Sequence, residues 1–213
     1  MKRFVPIAMF CLCLVTRSVA QDDSVKTKTP EISLWGGVSF PYLPEYSRQY
    51  WKKGWNIGAG YGVDFSPGSV GYSSILLTAQ YTRFAFDVNG TITTLDLLQK
   101  NVSFTRNPTT IFDAMLCYKG TFTPGPKTPS PYFLFGAGFF HYSEGTVTAT
   151  GDTSFTNPGR SQSAFCWTAG AGVEFPITET LRVFAQVRSD LGVTDPTRQY
   201  FPLSGGFSYR LGK

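Results

Sequence analysis

Charge, histidine and long apolar runs are all scarce in this chain. Charged residues make up 15% of its 213 residues, and His141 is the only histidine. The formal charge of +5 includes Lys2, Arg3 and Arg17; without these three, the 19 basic residues fall to 16 against 14 acidic, near +2. That is no electrostatic footprint for nucleic acid, and no nucleic-acid partner is expected. Beyond the N-terminus no segment approaches the roughly 20 consecutive apolar residues of a membrane-spanning helix. Phe133 to Phe140 comes nearest and is far too short. If the chain enters a membrane, it does so as a closed barrel, because open strands leave backbone groups unsatisfied in lipid. Cysteine is sparse too, with four in all, and Cys11 and Cys13 lie in the apolar N-terminus.

That N-terminus has the layout of a secretory leader. Met1-Lys2-Arg3 is cationic, Phe4 to Val15 is almost wholly apolar, and Ser18-Val19-Ala20 offers a small-x-small cleavage site before Gln21. The expected organisation is a signal peptide over 1–20, cleaved after Ala20, a short periplasmic segment over 21–30, and one domain over 31–213.

What the remainder does have is alternation. In Trp55 to Phe65, the residues Trp55, Ile57, Ala59, Tyr61, Val63 and Phe65 share one face of a strand. Asn56, Gly58, Gly60, Gly62 and Asp64 share the other. Large side chains on one face and nearly none on the other suit a narrow barrel with lipid outside and a crowded lumen inside, where charged neighbours such as Asp64 pack across small positions. The pattern recurs in Glu31 to Phe40, Tyr72 to Phe86, Thr109 to Phe122, Tyr132 to His141, Ala164 to Ile177, Leu181 to Asp190 and Phe201 to Leu211. Leu76 and Phe84 interrupt the polar face of the third strand, which suggests a bulge or register change there. Gly136 and Gly138 set the inward face of the fifth.

Connections alternate in length. Ser66-Pro67-Gly68-Ser69, Thr123 to Ser130 and Ile177-Thr178-Glu179 are tight. Pro41 to Lys53, Val88 to Pro108 and Ser143 to Gln162 are long, and Thr194 to Gln199 is intermediate. The expected fold is therefore all-β, an eight-stranded antiparallel up-and-down transmembrane β-barrel with turns at one end and long loops at the other. Aromatics near strand ends read as two interfacial belts. Tyr50, Trp51, Trp55, Phe139, Tyr142, Trp167, Tyr200 and Phe201 would mark the loop end, and Phe65, Tyr72, Phe122, Tyr132 and Phe175 the turn end.

Two stretches carry a family likeness. Thr168-Ala169-Gly170-Ala171-Gly172-Val173-Glu174-Phe175-Pro176-Ile177-Thr178, continuing to Leu181-Arg182-Val183 and Gln186-Val187-Arg188, resembles the glycine-rich strand and hairpin of the small OmpA/OmpX-like outer-membrane β-barrel family. Ser204-Gly205-Gly206-Phe207-Ser208-Tyr209-Arg210-Leu211 is similar to the C-terminal assembly signal of such proteins, with Gly206, Tyr209 and Leu211 at its marker positions. The resemblance implies the bacterial outer membrane, contact with its lipid and lipopolysaccharide, and insertion by the barrel-assembly machinery.

Inward positions collect Asp64, Asp113, Lys119, Glu174, Arg182, Gln186, Arg188, Asp190 and Arg210. In so narrow a lumen they are expected to pair into a structural network rather than line an open pore, because an isolated buried charge is very costly. Cys117 and Cys166 also point inward, on the fourth and sixth strands. One intervening strand puts them near or beyond the roughly 7 Å reach of a disulfide, so free thiols are expected. His141-Tyr142-Ser143 resembles the His-x-Ser of lipid A deacylases, which raises an alternative in which His141 is a base, Ser143 a nucleophile and Glu144 the group that orients the imidazole. The favoured expectation is a non-enzymatic barrel, without cofactor or metal, whose structural or surface-binding role lies in its long loops and their unknown extracellular ligand. A small solute pore is the remaining alternative.

Overall fold

A computed structural model describes residues 29–68, 71–87, 103–122, 128–151 and 154–211. The expected leader and its cleavage site lie outside the described residues. In chain order the strands are β1 (Thr29–Leu43), β2 (Gly54–Gly68), β3 (Gly71–Phe84), β4 (Ser103–Arg106), β5 (Thr109–Phe122), β6 (Ser130–Ser143), β7 (Val147–Thr150), β8 (Phe155–Asn157), β9 (Ser161–Pro176), β10 (Leu181–Gly192) and β11 (Arg198–Arg210). A short helix, Glu45–Tyr50, follows β1. Eight strands close into a barrel in the order β1-β11-β10-β9-β6-β5-β3-β2, with every neighbouring pair antiparallel. The up-and-down transmembrane barrel expected from the alternation is the fold observed. β4, β7 and β8 form a separate three-stranded sheet from segments that the sequence offers only as loops.

Side-chain burial inverts that of a soluble protein. Outward positions are large and apolar, with Leu116 60% exposed, Leu77 59% and Ile57 58%. Inward positions include Asp113, Glu174, Lys119 and Arg188, all buried. An apolar band of this extent is stable only against lipid.

Three local expectations are corrected. β3 carries no irregularity at Leu76 or Phe84: both pair in unbroken register and point into the lumen. The register shift is in β2, between Phe65 and Pro67, beside the turn. The inward glycines of β2 do not make room for charge. A Cβ at Gly58 would collide with the Trp35 indole, and one at Gly62 with the Leu76 side chain, so these two accommodate apolar bulk, while Gly60 faces the Ser33 hydroxyl. Lastly, several aromatics assigned to the belts face inward. Trp51, Tyr142 and Tyr200 at the loop end and Tyr132 at the turn end are buried, because strand parity or the turn into β2 aims them at the axis. Trp55, Phe139, Trp167, Phe122 and Phe175 remain exposed on the outer face. The Phe65 side chain lies outside the described residues.

Candidate functional site

The lumen divides into two polar layers. Toward the turn end, Lys119 Nζ donates to Glu174 Oε1 at 2.5 Å and to Glu31 Oε1 at 3.2 Å. The other oxygen of Glu174 accepts from Arg182 Nη1 at 2.9 Å and from Tyr72 OH at 2.8 Å. Arg210 Nη2 donates to Asp64 Oδ2 at 2.6 Å, and Ser74 Oγ to Asp64 Oδ1 at 2.5 Å. Both arginine heads lie over the Tyr72 ring, at 5.0 and 4.8 Å. Lys119 and Arg210 are thus tied to carboxylates on strands distant in sequence, and Arg182 to Glu174 on the neighbouring strand, so each buried charge has a partner that makes it tolerable.

Nearer the loop end, Arg188 Nη2 donates to Gln80 Oε1 at 2.5 Å and to Asp190 Oδ2 at 3.1 Å. Thr168 Oγ1 donates to Asp190 Oδ1 at 2.5 Å, Tyr200 OH to Asp113 Oδ2 at 2.6 Å, and Trp35 Nε1 to Gln80 Oε1 at 2.9 Å. Gln186 accepts from Tyr132 OH at 3.1 Å between the layers. A cavity of about 30 Å³ remains among Lys119, Glu174, Trp35 and Arg188, room for a water or two and not for a solute. Cys117 and Cys166 are buried free thiols.

Above these layers an aromatic cage covers the mouth. The Arg198 guanidinium carbon sits 3.5 Å from the Tyr142 ring centroid and 5.4 Å from that of Trp51. Trp51 stacks on Tyr142 at 5.9 Å and on Phe84 at 5.6 Å. Glu144 is held by Arg106, and by Arg198 at 3.7 Å. These contacts join three connections, because Arg106 ends β4, Glu144 follows β6 and Arg198 begins β11. Pairing of β4 with β7 extends the same tie into the loop sheet.

The three residues of the alternative site do not converge. His141 Nδ1 lies 2.9 Å from Ser163 Oγ on the outer face of the β6–β9 pair. Ser143 is two residues further along β6, paired with Ser161. Glu144 points to the arginines of the mouth instead of orienting the imidazole. Among the described residues no group of three or more metal-ligating side chains is assembled. Of the assembly-signal residues, Tyr209 and Leu211 are exposed on the outer face and Gly206 packs against Trp35 and Phe184 in the lumen.

Comparison with known proteins fits this architecture. The family model described as the outer membrane protein beta-barrel domain matches residues 9–197. This chain belongs to that family. No curated protein matches it in sequence. Among solved structures, Neisserial surface protein A is similar at 12% identity and a TM-score of 0.51, over 86% of this chain and 97% of that one. Ail, the attachment invasion locus protein of Yersinia pestis, is 15% identical with a TM-score of 0.48, over 87% and 100%. The outer membrane enzyme PagL is 14% identical with a TM-score of 0.48, over 84% and 98%. At these identities the likeness is one of fold. Membership of the outer membrane protein beta-barrel domain family places the chain in the bacterial outer membrane.

In this family barrel, several residues that complete the lumen were missed by sequence reasoning. Glu31, Trp35, Gln80 and Tyr200 all belong to it, and Arg198 and Trp51 to the mouth. Parity was the available signal for the first three, since Glu31 and Trp35 alternate with Ile32 and Leu34, and Gln80 with Ala79 and Tyr81. Nothing local marks Trp51, which reaches the mouth only because the chain turns into β2.

Proposed function

We propose that this chain is a closed, non-enzymatic outer-membrane barrel that works through the surface its long loops build above the mouth. The observation that carries this is the occlusion of the axis by two ion-paired layers and the Arg198 cage. The scaffold is rigid and its lumen filled, which leaves β4, β7 and β8 as the organised surface at the outer end. The role is then structural or one of binding an extracellular ligand. On this reading residues 1–20 are a leader removed after Ala20, residues 21–30 a short periplasmic lead, and residues 31–213 the barrel. The barrel-assembly machinery would read Gly206, Tyr209 and Leu211. Purified protein in planar bilayers should give no stable conductance steps; reproducible steps would overturn the occluded-barrel reading and favour a solute pore.

One observation favours a second reading. The His141–Ser163 hydrogen bond lies on the lipid-facing surface, where an imidazole could activate a hydroxyl toward an acyl ester. Among the described residues no carboxylate hydrogen-bonds to His141. Mass spectrometry of lipid A from expressing cells decides it: acyl loss abolished by Ser163→Ala or Ser143→Ala would establish a lipid-modifying enzyme.

A further inference from the structure

The outward face of β3, β5, β6 and β9 is layered in polarity. The register places Arg83, Thr110, Ser143 and Ser161 in one transverse row nearest the loops. The next row is Tyr81, Phe112, His141 and Ser163. Below it come Ala79, Ala114, Phe139 and Phe165, then Leu77, Leu116, Ala137 and Trp167. The face passes from wholly polar to wholly apolar within two rows, with aromatics at the change, which is where a membrane interface lies.

The remaining strands differ. There Phe40 pairs with Phe201, and Val38 pairs with Leu203 and with Trp55, the β2 neighbour of Arg83. Lys53 lies over the Phe40 ring at 5.3 Å. On the polar side Arg83 is exposed, flanked by Trp55 on β2 and Thr110 on β5, and has no ion-pair partner among the described residues. Exposed Arg160 precedes Ser161. The acidic residues of the barrel strands, Glu31, Asp64, Asp113, Glu174 and Asp190, all face the lumen. Among the described residues no carboxylate pairs with Arg83, and a lipid-facing cation so placed draws its counter-charge from the membrane.

We propose that this one-sided rim of Arg83, Thr110, His141, Ser143, Ser161 and Ser163 is a docking site for the phosphorylated sugar headgroup of outer-leaflet lipopolysaccharide. Arg83 pairs with a phosphate, as a guanidinium does best. The hydroxyls and imidazole meet sugar hydroxyls, and the Phe139–Phe165 row takes the first acyl carbons. The inference rests on the reading that the long-loop end faces outward.

The test uses the full chain refolded into phosphatidylcholine nanodiscs doped with bisphosphorylated lipid A, dephosphorylated lipid A or phosphatidylglycerol. Native mass spectrometry counts the intact lipid retained per barrel, and heat-modifiable gel migration confirms folding of each variant. Bisphosphorylated lipid A should be retained selectively. Arg83→Gln should weaken retention about fivefold, the effect of one basic group at a membrane surface, and Lys53→Gln should leave it unchanged. Equal retention by folded Arg83→Gln and the parent chain, or equal enrichment of phosphatidylglycerol, would overturn the proposal. Orientation is read separately by labelling Thr156→Cys on intact cells: labelling supports the outward loop end, and its absence overturns orientation and proposal together.

Discussion

Replacing Lys119 by methionine removes the cation shared by two buried carboxylates. Glu31 and Glu174 are each 2% exposed, and Lys119 bridges them at 3.2 and 2.5 Å. The two glutamates will not suffer equally. Glu174 keeps Arg182 at 2.9 Å and the Tyr72 hydroxyl at 2.8 Å. Glu31 has only Lys119 at Oε1, and its Oε2 is without a hydrogen-bond partner among the described residues. Breaking a buried ion pair by deleting one partner costs about 3–5 kcal/mol, and most of that should fall on the stranded Glu31.

A second substitution separates this from lost packing. Glu31→Gln alone should cost about 1–3 kcal/mol, because Lys119 still has Glu174. In the Lys119→Met background the same change should recover stability, since it removes an uncompensated charge. The two effects are therefore non-additive, with a coupling of about 1–3 kcal/mol between contacting residues. Urea unfolding in detergent micelles, followed by tryptophan fluorescence, measures each corner of the cycle. A Lys119→Met variant within about 1 kcal/mol of the parent, or additive behaviour in the double variant, would refute the bridged-charge account.

Other perturbations probe separate parts of the structure. Gly58→Ala should destabilise by about 1–3 kcal/mol through overpacking against the Trp35 indole, and Trp35→Leu should relieve most of that cost in the same unfolding assay. Leu116→Arg, at the middle of the apolar face, should cost about 2–4 kcal/mol, whereas Arg83→Leu at the rim should change stability by less than about 1 kcal/mol. Folded protein should show no modification of Cys117 or Cys166 by a maleimide, and both should react after denaturation; peptide mapping that finds either labelled in the native barrel would contradict their burial. Arg198→Leu should loosen the mouth and speed proteolysis within 103–108 and 144–160 while leaving the barrel strands resistant, since Arg198 ties Glu144 to Trp51 and Tyr142.

The barrel was legible because one rule governs most of the chain. Where outward residues are large and apolar, as in Trp55 to Tyr61 or Phe165 to Val173, parity alone assigns both faces, and the polar partners of the lumen follow. The rule misleads where the lumen is itself apolar. Leu76, Phe84, Leu134 and Phe140 are buried inside the barrel, and an apolar residue on the polar face looks like an interruption until its partner across the axis is known. Gly192 is that partner for Phe140, two strands away and distant in sequence, so no window along the chain shows the pair. Leu76 sits beside Gly62 on the neighbouring strand, a match that shows only once the register of the β2–β3 hairpin is known. The alternative site fails to assemble for a related reason. His141, Ser143 and Glu144 fall within four residues, yet His141 points outward while Glu144 is drawn to arginines that begin β11 and end β4. The loop sheet was illegible because its strands are three or four residues long and pair across two connections.

The outer face also sets how deep the barrel sits. On β5 the outward residues Phe112, Ala114, Leu116, Tyr118, Gly120 and Phe122 carry no charge, and Thr110 precedes them. From Phe112 to Phe122 the chain advances ten residues, about 34 Å along an antiparallel strand. Strands of such barrels tilt by about 35–45°, which brings that length to about 24–28 Å along the membrane normal, against an apolar band of about 25 Å. The span is therefore filled by this run alone. Shifting the barrel inward by one row would carry Thr110 and Arg83 into hydrocarbon, and shifting it outward would lift Phe112 and Tyr81 out of the interface. Both moves are unfavourable, so Arg83 lies at the polar edge of the apolar band. The same run that makes the chain a membrane protein thus decides which of its polar residues can meet a headgroup.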